Sequence, residues 1–156
     1  MKKTNAMRIL DSKKINYSVR EYEVDENNLG AVAVAAKTGV DLDKIYKTLV
    51  LTGDRSGYIV ACIPGAAELN LKALAKASGN KRVEMIPMKD LEKITGYIRG
   101  GCSPVGMKKG YPTYLDMSAR EHERIVVSGG RRGVQIEISP EDLIKICRGS
   151  LAEISF

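Results

Sequence analysis

The stretch Thr48-Leu49-Val50-Leu51-Thr52-Gly53-Asp54-Arg55-Ser56-Gly57-Tyr58-Ile59-Val60-Ala61-Cys62-Ile63 reads as two strands around a tight turn. Residues 48–52 and 58–63 are apolar and rich in β-branched side chains. The intervening Gly53-Asp54-Arg55-Ser56-Gly57 carries the residues that hairpin connections need. Two antiparallel strands are expected here, and the rest of the chain is read outward from them.

Upstream, Thr4 has the character of an N-cap, and Ala6, Met7, Ile9 and Leu10 recur at helical spacing, predicting a helix to about Lys13. Residues 17–24 alternate in type and predict a strand with both faces partly covered. The alanine- and valine-rich run 30–38, stopped by Lys37-Thr38-Gly39, predicts a short buried helix, and Asp41 starts a turn or a short helix. Downstream, Asn70 can cap a helix over 71–77 that closes at Gly79. A strand over 82–86 and a short helix over 88–94, closing at Gly96, follow. After a glycine-rich stretch at 100–110 come a strand at 113–115, a hairpin of 125–128 with 134–138, and a last helix from Ser139-Pro140 through Ile146. With no repeat, low-complexity tract or linker, the expectation is one α+β domain over 1–156. Its mixed, mainly antiparallel sheet curls into a partial barrel flanked by short helices.

At 156 residues the chain can bury a sizeable core, and 44% apolar with 28% charged residues is the balance of a globular protein. No apolar run approaches the roughly 18 residues of a membrane helix, and the N-terminus does not read as a signal peptide, so a cytoplasmic location without a membrane partner is expected. Cys62, Cys102 and Cys147 lack CxxC spacing, and His122 is the one histidine, which argues against a disulfide framework, a metal site or a Ser-His-Asp relay; no cofactor is expected. A net charge of +6 favours a polyanionic partner.

Three segments could carry chemistry. In Arg99-Gly100-Gly101-Cys102-Ser103-Pro104-Val105-Gly106-Met107-Lys108-Lys109, glycines around a proline can converge backbone N–H groups on an anion or a carbonyl oxygen. The same loop reads equally as a surface turn, and its spacing departs from a P-loop at Met107. Lys47, at the mouth of an apolar strand with Thr48 beside it, can hold an ammonium against a phosphate or polarised carbonyl, or can simply be solvated. Val127-Ser128-Gly129-Gly130-Arg131-Arg132-Gly133 places two arginines on a tight turn, suited to phosphate contacts or to plain solvation. Cys102 is the one plausible thiol nucleophile and His122 its one available base, but neither neighbourhood shows an activating group.

The order of these motifs is more specific than any one of them. Lys47-Thr48-Leu49-Val50, Gly100-Gly101-Cys102-Ser103-Pro104-Val105-Gly106, Ser128-Gly129-Gly130-Arg131-Arg132-Gly133 and Glu137-Ile138-Ser139-Pro140-Glu141-Asp142-Leu143, together with Lys3-Thr4-Asn5-Ala6-Met7-Arg8-Ile9-Leu10, closely resemble the YbaK/EbsC family over nearly the whole chain. The resemblance implies a bacterial editing domain, related to one associated with prolyl-tRNA synthetase, that removes cysteine mistakenly attached to proline tRNA. It implies Lys47 as the central residue holding the aminoacyl ester or the neighbouring phosphate, with Gly101 supplying a backbone N–H. Tyr22, Thr48, Gly100, Ser103, Pro104, Gly106 and Ser128 are implied to line the substrate pocket. By its charge the chain would meet tRNA, not DNA, through Lys108, Lys109, Arg131 and Arg132. Where some relatives carry an acidic residue after the last glycine turn, this sequence has Gln135. Cleavage of an activated ester needs only orientation and a stabilised oxyanion, so no protein nucleophile is required. A non-catalytic module that binds an aminoacyl or nucleotide end is the alternative reading, and a thiol enzyme through Cys102 the third.

Overall fold

The computed structural model describes residues 1–156. In chain order it contains α1 (Asn5–Ser12), β1 (Ser18–Glu21), α2 (Ala31–Thr38), β2 (Tyr46–Gly53), β3 (Gly57–Pro64), α3 (Leu71–Ala77) and β4 (Val83–Met85). Then follow α4 (Leu91–Thr95), β5 (Thr113–Asp116), β6 (Ile125–Arg131), β7 (Val134–Ile138), α5 (Pro140–Cys147) and β8 (Ser150–Ala152). The caps are those the sequence announces. Thr4 accepts the Met7 N–H at 3.2 Å and donates to the Gly129 carbonyl at 2.5 Å, so one hydroxyl both starts α1 and ties it to β6. Asn70 and Ser139 cap α3 and α5 in the same way, and Gly39 and Gly96 end α2 and α4 in the left-handed conformation.

The strands form two sheets, not the one expected. The first runs β4-β2-β3-β5-β8 and the second β1-β7-β6. Pairing is antiparallel in β2–β3, β2–β4, β1–β7 and β6–β7, and parallel in β3–β5 and β5–β8. The sheets meet at a single parallel bridge, Ile45 with Val126, and the ladder between them goes no further.

The central hairpin is buried on both faces. Val50, Val60 and Cys62 join Met7, Leu10, Ile125, Ile136, Ile138 and Leu143 in the larger core between the sheets, α1 and α5. Leu51, Ile59, Ala61 and Ile63, of opposite parity, join Leu74 and Ile154 in a second core under α3. Each such side chain contributes roughly 1.5–3 kcal/mol relative to exposure, which makes β2 and β3 the rigid centre of the molecule. Two elements are less covered than their sequences implied. All four residues of β1 are exposed because it is an edge strand, and α2 buries Ala33 and Val34 while Val32 faces solvent. β8 carries no pattern of its own in three residues and is held by its parallel pairing with β5. No helix is long and apolar enough to cross a membrane.

Candidate active site

β2 and β6 run side by side at Ile45 and Val126, and their pairing then stops. A cleft of about 400 Å³ opens beyond the bridge, with Lys47 and Thr48 on its β2 wall and Ser128 and Gln135 on the wall from the second sheet. A volume of about 300–1,000 Å³ is usual for a small-molecule site. The β2 wall is a strand edge with backbone to offer. Val50 gives its carbonyl to the Ile86 N–H at 3.2 Å, on the side away from β3. Backbone polar groups repeat every second residue, so Thr48 turns its N–H and C=O the same way, past the register of β4, which pairs only with Leu51, Thr52 and Gly53.

The cleft unites several residues singled out in the sequence. Lys47, Thr48, Tyr22, Gly100 and Ser128 all line it, and Cys102 joins them. Tyr22 is brought there by its N–H bond to Gly133 O at 3.0 Å, which carries the β1–β7 pairing to the glycine turn. Lys47 is half-buried, and its ammonium has neither a hydrogen-bond nor an ion-pair partner. No aspartate, glutamate or histidine lines the cleft; Arg99 is its second cation. The side chains at its mouth include the half-exposed thioethers Met85 and Met88.

The glycine loop divides in two. Gly100, at a φ of 84°, lines the cleft and packs against Leu29 and Arg132. Gly101 is the pivot: a Cβ there would lie 2.9 Å from the Arg131 Cα and the Arg132 backbone nitrogen, so the loop and the 131–132 turn touch main chain to main chain. Its amide does not serve as expected, because it donates to Ile98 O at 2.9 Å and closes a turn. The free N–H groups on the lining belong instead to Gly100 and Cys102, neither of which has an acceptor within the protein. Beyond the pivot the loop turns away. Ser103 is fully buried and its hydroxyl accepts the Val105 N–H at 3.2 Å. Pro104 and Gly106 line a separate depression with Ile9, Lys109 and Cys147, so these three residues do not stand on the cleft.

The basic residues are dispersed. Arg132 donates from Nε to the Arg99 carbonyl at 2.8 Å, bracing the cleft roof, and Arg131 is half-buried at the same turn. Lys108 reaches the Lys93 carbonyl at 3.2 Å, while Lys108 and Lys109 are both exposed. Burial pushes the Cys102 thiol up to about 11 and the Cys147 thiol up to about 12, and drives the Cys62 thiol higher still, so all three stay protonated near neutrality. Burial likewise raises the Tyr46 phenol, outweighing the lowering by its hydrogen bond with Ser118. His122 packs edge-on against Tyr46, 6.5 Å between ring centres, and does not line the cleft.

Sequence reasoning passed over one residue of consequence. Gln135, noted only for the acid it replaces, lies on the cleft lining 6% exposed, and its Oε1 is the one buried side-chain polar atom without a partner.

Comparison with known proteins agrees with this architecture. Residues 25–146 match the family described as the aminoacyl-tRNA editing domain. A protein of Enterococcus faecalis assigned as a Cys-tRNA(Pro)/Cys-tRNA(Cys) deacylase, EbsC, is 52% identical over 153 residues, which cover 98% of this chain and 93% of that protein. The proline–tRNA ligase of Fervidobacterium nodosum is 34% identical over 96 residues, 62% of this chain but only 16% of the ligase. A crystal structure assigned as a trans-editing enzyme for prolyl tRNA synthetase shares the fold with a TM-score of 0.83 and 20% identity, covering 100% of this chain and 99% of that one. Given the family match across most of its length and the near end-to-end similarity to the Enterococcus protein, this chain belongs to the aminoacyl-tRNA editing domain family.

Proposed function

We propose that this chain is an aminoacyl-tRNA deacylase that clears wrongly charged proline tRNA, cysteinyl-tRNA for proline above all. The observation that carries the reading is Lys47, a half-buried ammonium with no partner, on a cleft that holds no carboxylate. Such a cation is available to a negative charge that arrives with the substrate or develops on it. Members of the family and the Enterococcus relative supply the substrate class; the cleft supplies the means.

The 3′ end of an aminoacyl-tRNA brings an ester carbonyl, an α-amino group and phosphates. The unpaired N–H groups of Gly100 and Cys102 and the Lys47 ammonium offer fixed donors for the oxyanion that forms when the carbonyl is attacked. For a cysteinyl ester the attacking atom is the substrate's own sulfur. A carbon–sulfur bond forms, the bond to the ribose oxygen breaks, and the thiol proton passes to that oxygen, leaving a cyclic thioester. For a seryl- or alanyl-type ester, water takes that place and free amino acid is released. In neither case is a protein nucleophile needed, consistent with three thiols held protonated and a histidine away from the cleft. Arg131, Arg132, Lys108 and Lys109 would meet tRNA phosphates, and a prolyl-tRNA synthetase would be the protein that delivers the substrate in the cytoplasm.

The test is ester release from cysteinyl-, alanyl- and prolyl-tRNA for proline. Wild type should release the first fastest, and Lys47→Ala should lose about 10²–10³ in rate. Wild-type rates equal to the uncatalysed ones would leave only a binding module.

A further inference from the structure

We infer that Gln135 reads the α-amino group of the bound aminoacyl ester and so makes the cleft selective for amino acids over other acyl groups. This rests on the deacylase reading and adds a recognition element to it.

Unsatisfied buried polar atoms are rare in folded proteins, because each forfeits water without gaining a partner, at a cost of roughly 1–3 kcal/mol. Every other buried side-chain oxygen or nitrogen of this chain is bonded. Thr4, Asn80, Thr95, Ser103 and Asp116 are each 7% exposed or less and all have partners. Gln135 Oε1 alone has none, and it is on the cleft. Its position is not an accident of a loose loop. Gln135 sits in mid-strand in β7, paired with Ser128 of β6 on one side and Arg20 of β1 on the other. Its main chain is held by two ladders, and the terminal torsion of the amide, which is broad in glutamine, lets the oxygen turn toward an arriving donor.

A hydrogen-bond donor that comes with the ligand would satisfy this oxygen. An aminoacyl ester carries one such group beside its carbonyl, the α-amino nitrogen. Tyr22 and Thr48 also bring hydroxyls to the lining, but a hydroxyl oxygen is a weaker acceptor than a carboxamide oxygen. There is no carboxylate; the Ser128 hydroxyl already accepts the Gly130 N–H at 3.2 Å, and the Tyr46 hydroxyl is paired with Ser118 at 2.7 Å. The two cations, Lys47 and Arg99, would repel an ammonium. A neutral carboxamide oxygen suits this setting: it accepts from the amine without bringing a negative charge that would pair with Lys47 and withdraw it from the ester. The side chain of the amino acid is then left to be judged by the apolar remainder of the cleft.

The experiment compares two esters on the same tRNA for proline, cysteinyl and 3-mercaptopropionyl, which differ only in the α-amino group. Wild type, Gln135→Met and Gln135→Glu are assayed for kcat/KM. With each kcat/KM divided by the uncatalysed rate of the same ester, wild type should prefer the cysteinyl ester by tenfold or more. Gln135→Met keeps the length and removes the acceptor, and should bring that preference to within about twofold of unity by slowing the cysteinyl ester alone. Gln135→Glu retains an acceptor and should keep a preference of at least fivefold. Because methionine replaces an unpaired polar group with an apolar one, the variant is expected to fold, and its thermal midpoint verifies this. Equal wild-type rates on the two esters, or a Gln135→Met defect of the same size on both, would overturn the inference while leaving the deacylase intact. Failure of wild type to release either ester would overturn both.

Discussion

The two parts of the glycine loop, residues 100–102 about the Gly101 pivot and residues 103–106 beyond it, are adjacent in the chain and have opposite tasks. Gly100 and Cys102 stand on the cleft with unpaired amides, whereas Ser103, Pro104 and Gly106 are folded into the body of the protein or onto the far depression. The difference arises from the pivot. At Gly101 two main chains touch, and the absence of a side chain there lets the loop lie against the 131–132 turn. A glycine-rich loop is thus one element in sequence and two in space, one presenting backbone to a ligand and the other anchoring it.

That contrast can be broken by experiment. The largest effect should come from the wall that faces the first half: Lys47→Ala is expected to cut cysteinyl ester release about 10²–10³-fold with little change in stability, read from single-turnover rates and thermal midpoints. Next is the pivot. In Gly101→Ala the new Cβ meets main chain that cannot swing aside, so the loop must back away, costing about 1–3 kcal/mol in urea unfolding. The displaced Gly100 and Cys102 should cost roughly ten- to a hundredfold in rate per folded molecule. Gly106→Ala tests the other half. Its φ of 81° and a Cβ 2.9 Å from Asn5 Nδ2 and the Tyr97 hydroxyl predict a loss of about 1–2 kcal/mol. The rate per folded molecule should nonetheless stay within about threefold. Matching rate losses in Gly101→Ala and Gly106→Ala would erase the division.

The thiols sharpen it further. Burial raises Cys102 and Cys147 above the ordinary thiol value, so the folded state holds their protons more firmly than the unfolded chain does. Stability from this source is complete below about pH 9 and lost as pH climbs toward 11–12, visible as a falling urea midpoint. Cys102 should accordingly resist iodoacetamide at pH 8 in the folded protein, and Cys102→Ala should retain release within about threefold. Rapid alkylation accompanied by inactivation would place thiol chemistry in the cleft after all. The smallest expected effect is on Gln135→Met, whose midpoint should rise by about 2–4 °C as an unpaired buried oxygen is removed.

What could be read from the chain beforehand follows from how local each signal is. The 48–63 hairpin and the caps at Thr4, Asn70 and Ser139 are written within a few residues and form as expected. Lys47, Thr48, Gly100 and Ser128 were identifiable through the order of their motifs, and the fold does gather them around one cleft. Which amide of the glycine loop is free was not legible, because the Gly101 N–H is captured by Ile98 in a turn that neither residue type demands. The split into two sheets depends on a β2–β6 ladder ending after one bridge, a matter of strand direction in three dimensions. Gln135 looked like a mere departure from an acidic position. Its importance lies in a hydrogen bond that is missing, and no sequence displays an absence of that kind.

The Ile45–Val126 bridge has a mechanical meaning. Beside the core they share, the two sheets have one hydrogen-bonded stitch, with Val34, Ile45 and Val126 as the filling of the spine. The gape of the cleft is then governed from behind, by the bulk packed at that spine, and an editing domain of this build could retune the size of the acyl group it admits without altering any residue the substrate touches.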